Sequence, residues 1–167
     1  SSTGVGTSSH LSGFMLTERL GAQATHVPYK GADALNDLLS GRIQFMFATI
    51  PSVVQLIKTD QLKALAVAAD RRIANLPNVP TMSEQGFADL VARDWQGIVV
   101  RKGTPKEVVM KLQAALDAAR KDPKTAEALA NVGAEVSQAS PEQFGQFVAT
   151  EVTRWSEVAR AANIKVE

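Results

Sequence analysis

Apolar positions follow two rhythms along the chain. Over residues 1–93, short apolar runs alternate with stretches of helical spacing, the pattern of βαβ units around a parallel sheet. Leu11, Phe14, Met15 and Leu20 mark one face of a helix from about Thr7 to Leu20. Thr25–Pro28 reads as a short strand that Pro28 ends. Ala34, Leu35, Leu38 and Leu39 mark the next helix, with Gly41 placed to close it in the left-handed conformation. Phe45–Ala48 reads as a strand leading into a short helix, Pro51–Lys58. Leu62–Ala69 is apolar apart from Lys63, as expected of a parallel strand buried on both faces.

Residues 70–94 break this rhythm. Arg71, Arg72, Pro77, Asn78, Pro80 and Gly86 make a connection too long for a simple turn. Gly97–Val100 is again strand-like, and the chain beyond it is mostly helical. Thr104-Pro105-Lys106-Glu107 and Ser140-Pro141-Glu142-Gln143 both read as capping boxes with proline at the first helical position. Asp122-Pro123 starts a shorter helix that Gly133 can end. Phe144, Phe147, Val148, Val152, Trp155, Val158 and Ala162 hold helical spacing through the last one. The reading therefore divides an α/β chain near Asp94: residues 1–93 as one lobe, and 94–167 as a return strand and helices of another.

Composition narrows the function classes. The 167 residues carry 18 Lys+Arg against 17 Asp+Glu, so no long-range field draws in a nucleic acid. Charge is uneven, with eight charged side chains in residues 1–60 and nineteen in 101–167, as expected of buried elements followed by surface helices. A hydrophobic fraction of 45% is that of a folded chain, and no apolar run is long enough to span a membrane. Absence of cysteine removes disulfides, thiolate nucleophiles and Cys-based zinc sites, and leaves the compartment open. The chain opens on Ser1-Ser2-Thr3-Gly4, without an initiator Met or a secretory signal, and reads as a mature protein or a fragment.

Ser2-Thr3-Gly4-Val5-Gly6-Thr7-Ser8-Ser9 is the most informative segment. Glycines let the backbone approach a ligand, and hydroxyls donate to carboxylate or phosphate oxygens. A helix starting near Thr7 would add free N–H groups and its dipole, an anion site without any Lys or Arg. The segment equally fits an ordinary Ser/Gly-rich loop with Thr7 as a cap. It is neither a phosphate-binding Walker loop, since no Gly-Lys-Ser/Thr follows, nor a dinucleotide fingerprint, since Ser9 replaces the third glycine. His10 and His26, the two histidines, lack a metal-binding context and read as structural; no metal or cofactor is expected. No Gly-x-Ser-x-Gly elbow supports a serine nucleophile, and Asp33 with Asp37 reads as a solvated helix face. Trp95 and Trp155 read as core. No catalytic residue is assigned.

The order of the segments resembles the substrate-binding proteins of tripartite tricarboxylate transporters, the Bug family. Ser1 to Leu11 resembles that family's glycine-rich loop, and His26-Val27-Pro28-Tyr29-Lys30-Gly31 its next block. Asp37–Gly41 with Phe45-Met46-Phe47, Leu76–Thr81 with Glu84 and Gly86, Trp95-Gln96-Gly97 and Gly103-Thr104-Pro105 continue the likeness along the whole chain. The resemblance implies a type II periplasmic binding protein-like fold: two α/β lobes joined by hinge strands around a ligand cleft. It implies a periplasmic receptor for a small carboxylate that serves membrane permease subunits or, in some members, a sensor kinase. It is not itself inserted in the membrane. The ligand would meet Ser2, Thr3, Gly4, Gly6, Thr7, Ser8, Ala48 and Thr49.

Two departures qualify the match. The family's N-terminal part, with a second carboxylate loop, precedes the segment that matches Ser1, so the chain reads as the C-terminal portion of a longer protein. Phe144, Phe147, Val148 and Trp155 are then expected to present an apolar stripe. At Ala48-Thr49 many members carry Asp-Asn, and without an acid at 48 a ligand lacking an ammonium group is expected. An α/β enzyme acting on a carboxylate, and a sensory protein that reports binding or has lost it, are the competing classes.

Overall fold

A computed structural model describes residues 1–30 and 33–164, so Gly31 and the last three residues of the 94–167 unit lie outside the described residues. Six helices carry the architecture: α1 Ser8–Leu20, α2 Asp33–Leu39, α3 Ile50–Lys58, α4 Lys106–Lys121, α5 Pro123–Asn131 and α6 Pro141–Ala161. A single turn of 3₁₀ helix, Ser83–Gln85, interrupts the long connection. α1 starts where the apolar spacing places it. Thr7 caps it, its side chain accepting from the His10 N–H, and Gly21 closes it at φ +58°. Gly41, at φ +75°, lets the chain turn back after α2, with Arg42 N–H reaching the Asp37 carbonyl at 2.9 Å.

The extended segments lie side by side without forming continuous ladders. Ser2 bridges Pro28 in parallel, donating to Val27 O at 3.2 Å and accepting from Tyr29 N at 3.0 Å. Ser1 N donates to Phe45 O at 2.9 Å and Ser9 Oγ to Phe47 O at 2.6 Å, which ties 45–47 to the same region. Val67 bridges Thr81 in parallel, and Ala92 N reaches Ala68 O at 3.0 Å. The expectation of a 62–69 strand buried on both faces is corrected here: Val67 is buried, but Leu65 is 69% exposed. Its neighbours are loop residues 80–82, and Pro80 has no N–H to extend the ladder.

The core gathers Leu11 from α1, Ala34 from α2, Val53 and Val54 from α3, and Ile43, Val67, Leu76, Met82 and Leu90 from the segments between. α4, α5 and α6 bury no residue. α6 leans on α1, where Phe14, Met15, Val158 and Ala161 line a groove of about 330 Å³ rimmed by the Arg19–Asp89 ion pair. Arg154 of α6 donates to Val91 O, and Asn75 Nδ2 donates to Ala130 O at 2.8 Å, capping the end of α5. Trp95 meets Phe144 and Phe147 edge-on at 5.5 and 5.6 Å, and Phe144 lies over Gly97. Trp95 is nonetheless 42% exposed, so it is the rim of an aromatic cluster rather than a core residue.

One capping signal fails. Ser140 makes the full capping box with Gln143, as its sequence indicates. Thr104 does not cap α4, because Pro105 adopts ψ 137° and the helix begins a residue late. Its hydroxyl donates instead to Arg101 O at 2.8 Å, closing the turn before the helix.

Candidate carboxylate site

The loop Ser2–Thr7 and the start of α1 form a self-bonded cradle. The Ser2 side chain is fully buried beneath it. Its hydroxyl donates to Gly4 O at 2.9 Å and accepts from Gly4 N at 3.2 Å. Gly4, at φ +150°, and Gly6, at φ +77°, turn the backbone over this hydroxyl. Thr7 Oγ1 donates to Gly4 O at 2.8 Å, so it holds the turn and caps α1 together. Ser9 is buried, with its hydroxyl committed to Phe47 O.

Two histidines lock the cradle from one side. His26 Nε2 lies 2.6 Å from Ser2 Oγ, and His10 Nδ1 accepts from Gly6 N at 3.2 Å. Their rings stack with centroids 3.6 Å apart and planes within 9°. Both imidazoles sit below the ordinary histidine range: partial burial is the main cause, and for His26 the charge of His10 adds to it. Both rings hold the loop, and their stacking joins two segments in a way that two separate motifs did not announce.

The hydroxyls therefore turn mostly inward. Ser8 Oγ donates to Asp94 Oδ1 at 2.7 Å. Thr3 is exposed and makes no side-chain hydrogen bond among the described residues. Ser8 N–H and Ser9 N–H, in the first turn of α1, carry no hydrogen bond among the described residues and are its orphan donors. The segment bearing Ala48 and Thr49 reaches this region through Phe47, and Thr49, exposed, starts α3 with its hydroxyl donating to Ser52 Oγ at 3.1 Å. The Ser9–Phe47 bond thus brings the 2–9 loop beside the 47–49 segment, and among the described residues no Lys or Arg bonds to either.

Asp94 is the residue sequence reasoning missed at this place, having read it only as a boundary. Its adjacency to Trp95 in a matched block was the available signal. It brings an acid to the α1 end, where it accepts from the Ser8 hydroxyl. Tyr29 is turned away from a binding role: its hydroxyl donates to Asp37 at 2.7 Å, which with Arg42 holds that carboxyl below the usual range. The two grooves, about 330 Å³ beside α1 and α6 and about 580 Å³ between α4 and the start of α6, are lined by other residues.

Residues 1–164 match the family described as tripartite tricarboxylate transporter family receptor. The chain belongs to that family. It is 33% identical to the protein BugT of Bordetella pertussis over 164 residues, 98% of this chain and 50% of BugT. It superposes on the solved periplasmic binding protein BugD with a TM-score of 0.85 and 39% identity, covering 95% of this chain and 54% of BugD. The Rhodopseudomonas palustris protein MatC, solved with bound malate, gives a TM-score of 0.80 and 31% identity, covering 90% of this chain and 52% of that one. The chain therefore spans about half the length of BugT. The tripartite tricarboxylate transporter receptors are periplasmic solute-binding proteins and not enzymes. No described helix of this member is long and apolar enough to cross a membrane.

Proposed function

We propose that this chain is part of a periplasmic receptor that captures a small carboxylate, a di- or tricarboxylate or an aromatic acid, and delivers it to the membrane permease of a tripartite transporter. The observation that carries this reading is the α1 start: two orphan amides, Ser8 and Ser9, at the positive end of a thirteen-residue helix, framed by a loop whose Ser2, Thr7 and Ser9 hydroxyls are engaged within the protein. A carboxylate placed there accepts from the two amides, with Thr3 and Thr49 hydroxyls at hand. Ser2, Gly4, Gly6 and Thr7 act by shaping the cradle, and Ser8 by its backbone. Malate in MatC supports the ligand class. The division near Asp94 belongs to the same reading: residues 1–93 form one wall of the cleft, and the chain from 94 crosses to the other lobe.

Isothermal calorimetry of the intact protein with malate, citrate and benzoate tests this. Micromolar or tighter binding of at least one, with a matching rise in melting temperature, is expected. Thr7→Ala is expected to weaken that binding by about 0.5–3 kcal/mol, through loss of the turn that aims the amides. Absence of binding by all three, or unchanged affinity in Thr7→Ala, overturns the assignment.

A further inference from the structure

The stacked histidines hold more than the cradle's shape. Ser2 Oγ has one proton, which serves Gly4 O, and it already accepts from Gly4 N; the arrangement that satisfies every group has His26 Nε2–H donating to Ser2 Oγ. His10 Nδ1 accepts from Gly6 N–H, so that nitrogen is bare and Nε2 carries the proton. The neutral pair is thus built into the loop, and it consumes Gly6 N–H, a donor two residues from the orphan amide of Ser8.

A proton from solvent that adds to His10 Nδ1 turns this acceptor into a donor. The Gly6 N–H···Nδ1 bond is then lost, Gly6 N–H becomes free to meet a carboxylate oxygen, and an imidazolium stands at the cradle. The cradle by itself disfavours this charge, because it lies beside the positive end of α1 and against a second ring at 3.6 Å. A bound carboxylate compensates it. The titratable groups bearing on the rings are each other, while Asp94 is engaged by Ser8. The stack also limits uptake to one proton, since two imidazolium rings face to face repel.

We propose that the His10–His26 pair couples carboxylate capture in this cradle to the uptake of one proton, freeing Gly6 N–H for the ligand. The inference rests on the receptor reading and adds that affinity rises as pH falls. By reciprocity, a bound carboxylate raises the pair's affinity for its proton.

Calorimetry of malate binding to the intact protein between pH 8 and pH 6, where malate remains predominantly a dianion, reads this directly. The expected result is a dissociation constant that falls with pH, by at most about tenfold per unit for one proton. Binding heats should vary with the protonation heat of the buffer. Nuclear magnetic resonance should show an imidazole titration moving to higher pH on malate saturation. His10→Asn, whose amide oxygen accepts from Gly6 N–H at every pH, is expected to lose the pH dependence; its circular dichroism and melting curve establish that it folds. Binding of malate with no pH dependence and no buffer-dependent heat overturns the coupling and leaves the receptor reading standing. A pH dependence that survives in His10→Asn overturns the assignment to this pair. Failure of malate, citrate and benzoate to bind at either pH overturns both.

Discussion

Residues 2–90 contain every buried side chain among the described residues, from Ser2 to Leu90, whereas the three helices that follow contain none. Both regions are helical and both have apolar stripes, so the contrast does not come from local pattern. α3 is nine residues long and buries Val53 and Val54. α6 is twenty-one residues long with a complete capping box, yet Val152 stays 61% exposed and Phe147 38% exposed. Amphipathic spacing states that a helix has a face to cover, and the cover must come from another surface. In the first region that surface is supplied within residues 2–90. In the second, the α1–α6 contact, the packing of α4 on α5, the approach of Gly133 to Ile50 and the Trp95 cluster supply part of it.

The largest test of this contrast is a pair of truncations. Leu11→Ala is expected to lower stability by about 2–5 kcal/mol, through lost burial and a cavity. Met110→Ala on α4, whose side chain is mostly exposed, should stay within about 0.5 kcal/mol. Urea unfolding of the two variants measures both, and equal losses would break the comparison. Next comes a tight contact of the second region. A Cβ on Gly97 would lie 2.2 Å from Phe144 Cζ, so Gly97→Ala must displace the ring. A loss of about 1–3 kcal/mol is expected, partly recovered when Phe144→Leu is added. No loss would mean that the ring is free to move and that the aromatic cluster does not hold.

A smaller effect sharpens the contrast within the second region. Ser140→Ala should cost about 0.5–2 kcal/mol, because Gln143 N–H loses its side-chain acceptor. Thr104→Ala should leave the α4 start unchanged, since its hydroxyl bonds backward to Arg101 O. Amide hydrogen exchange in the first turn of each helix separates the two. The smallest effect is pH-dependent and belongs to the first region. With both histidines below the ordinary value of 6.5 in the fold, the unfolded chain binds more protons. Their contribution is therefore fully present above that value and declines as pH falls below it, toward the folded values. The urea midpoint of the ligand-free protein should drop between pH 7.5 and pH 5, and drop less when malate is saturating.

Where the sequence succeeded, the deciding forces were local. Thr7 and Gly41 end elements through bonds to residues within a few positions, and Asp122-Pro123 starts α5 with the Asp122 side chain accepting from Lys124 N. Apolar spacing over one or two turns suffices for such elements, and ordered blocks over the whole chain sufficed for the family. The glycine-rich loop was legible as a backbone device, because glycines and hydroxyls in a row serve little else. What each hydroxyl does was not legible. Ser2, Ser8 and Ser9 look alike in sequence, and their partners, His26, Asp94 and Phe47, lie 24, 86 and 38 residues away.

Apolar spacing and capping residues thus determined the helices and most of their ends, and the ordered motifs determined the family, since these depend on bonds within a turn or two and on the order of segments. Tertiary structure alone decided which apolar faces are covered, that Leu65 points outward while Val67 is buried, and that Asp94 meets the α1 start. It also decided that two histidines sixteen residues apart stack on each other. Burial and pairing are properties of groups brought together from distant positions, and no local pattern carries the distance between them.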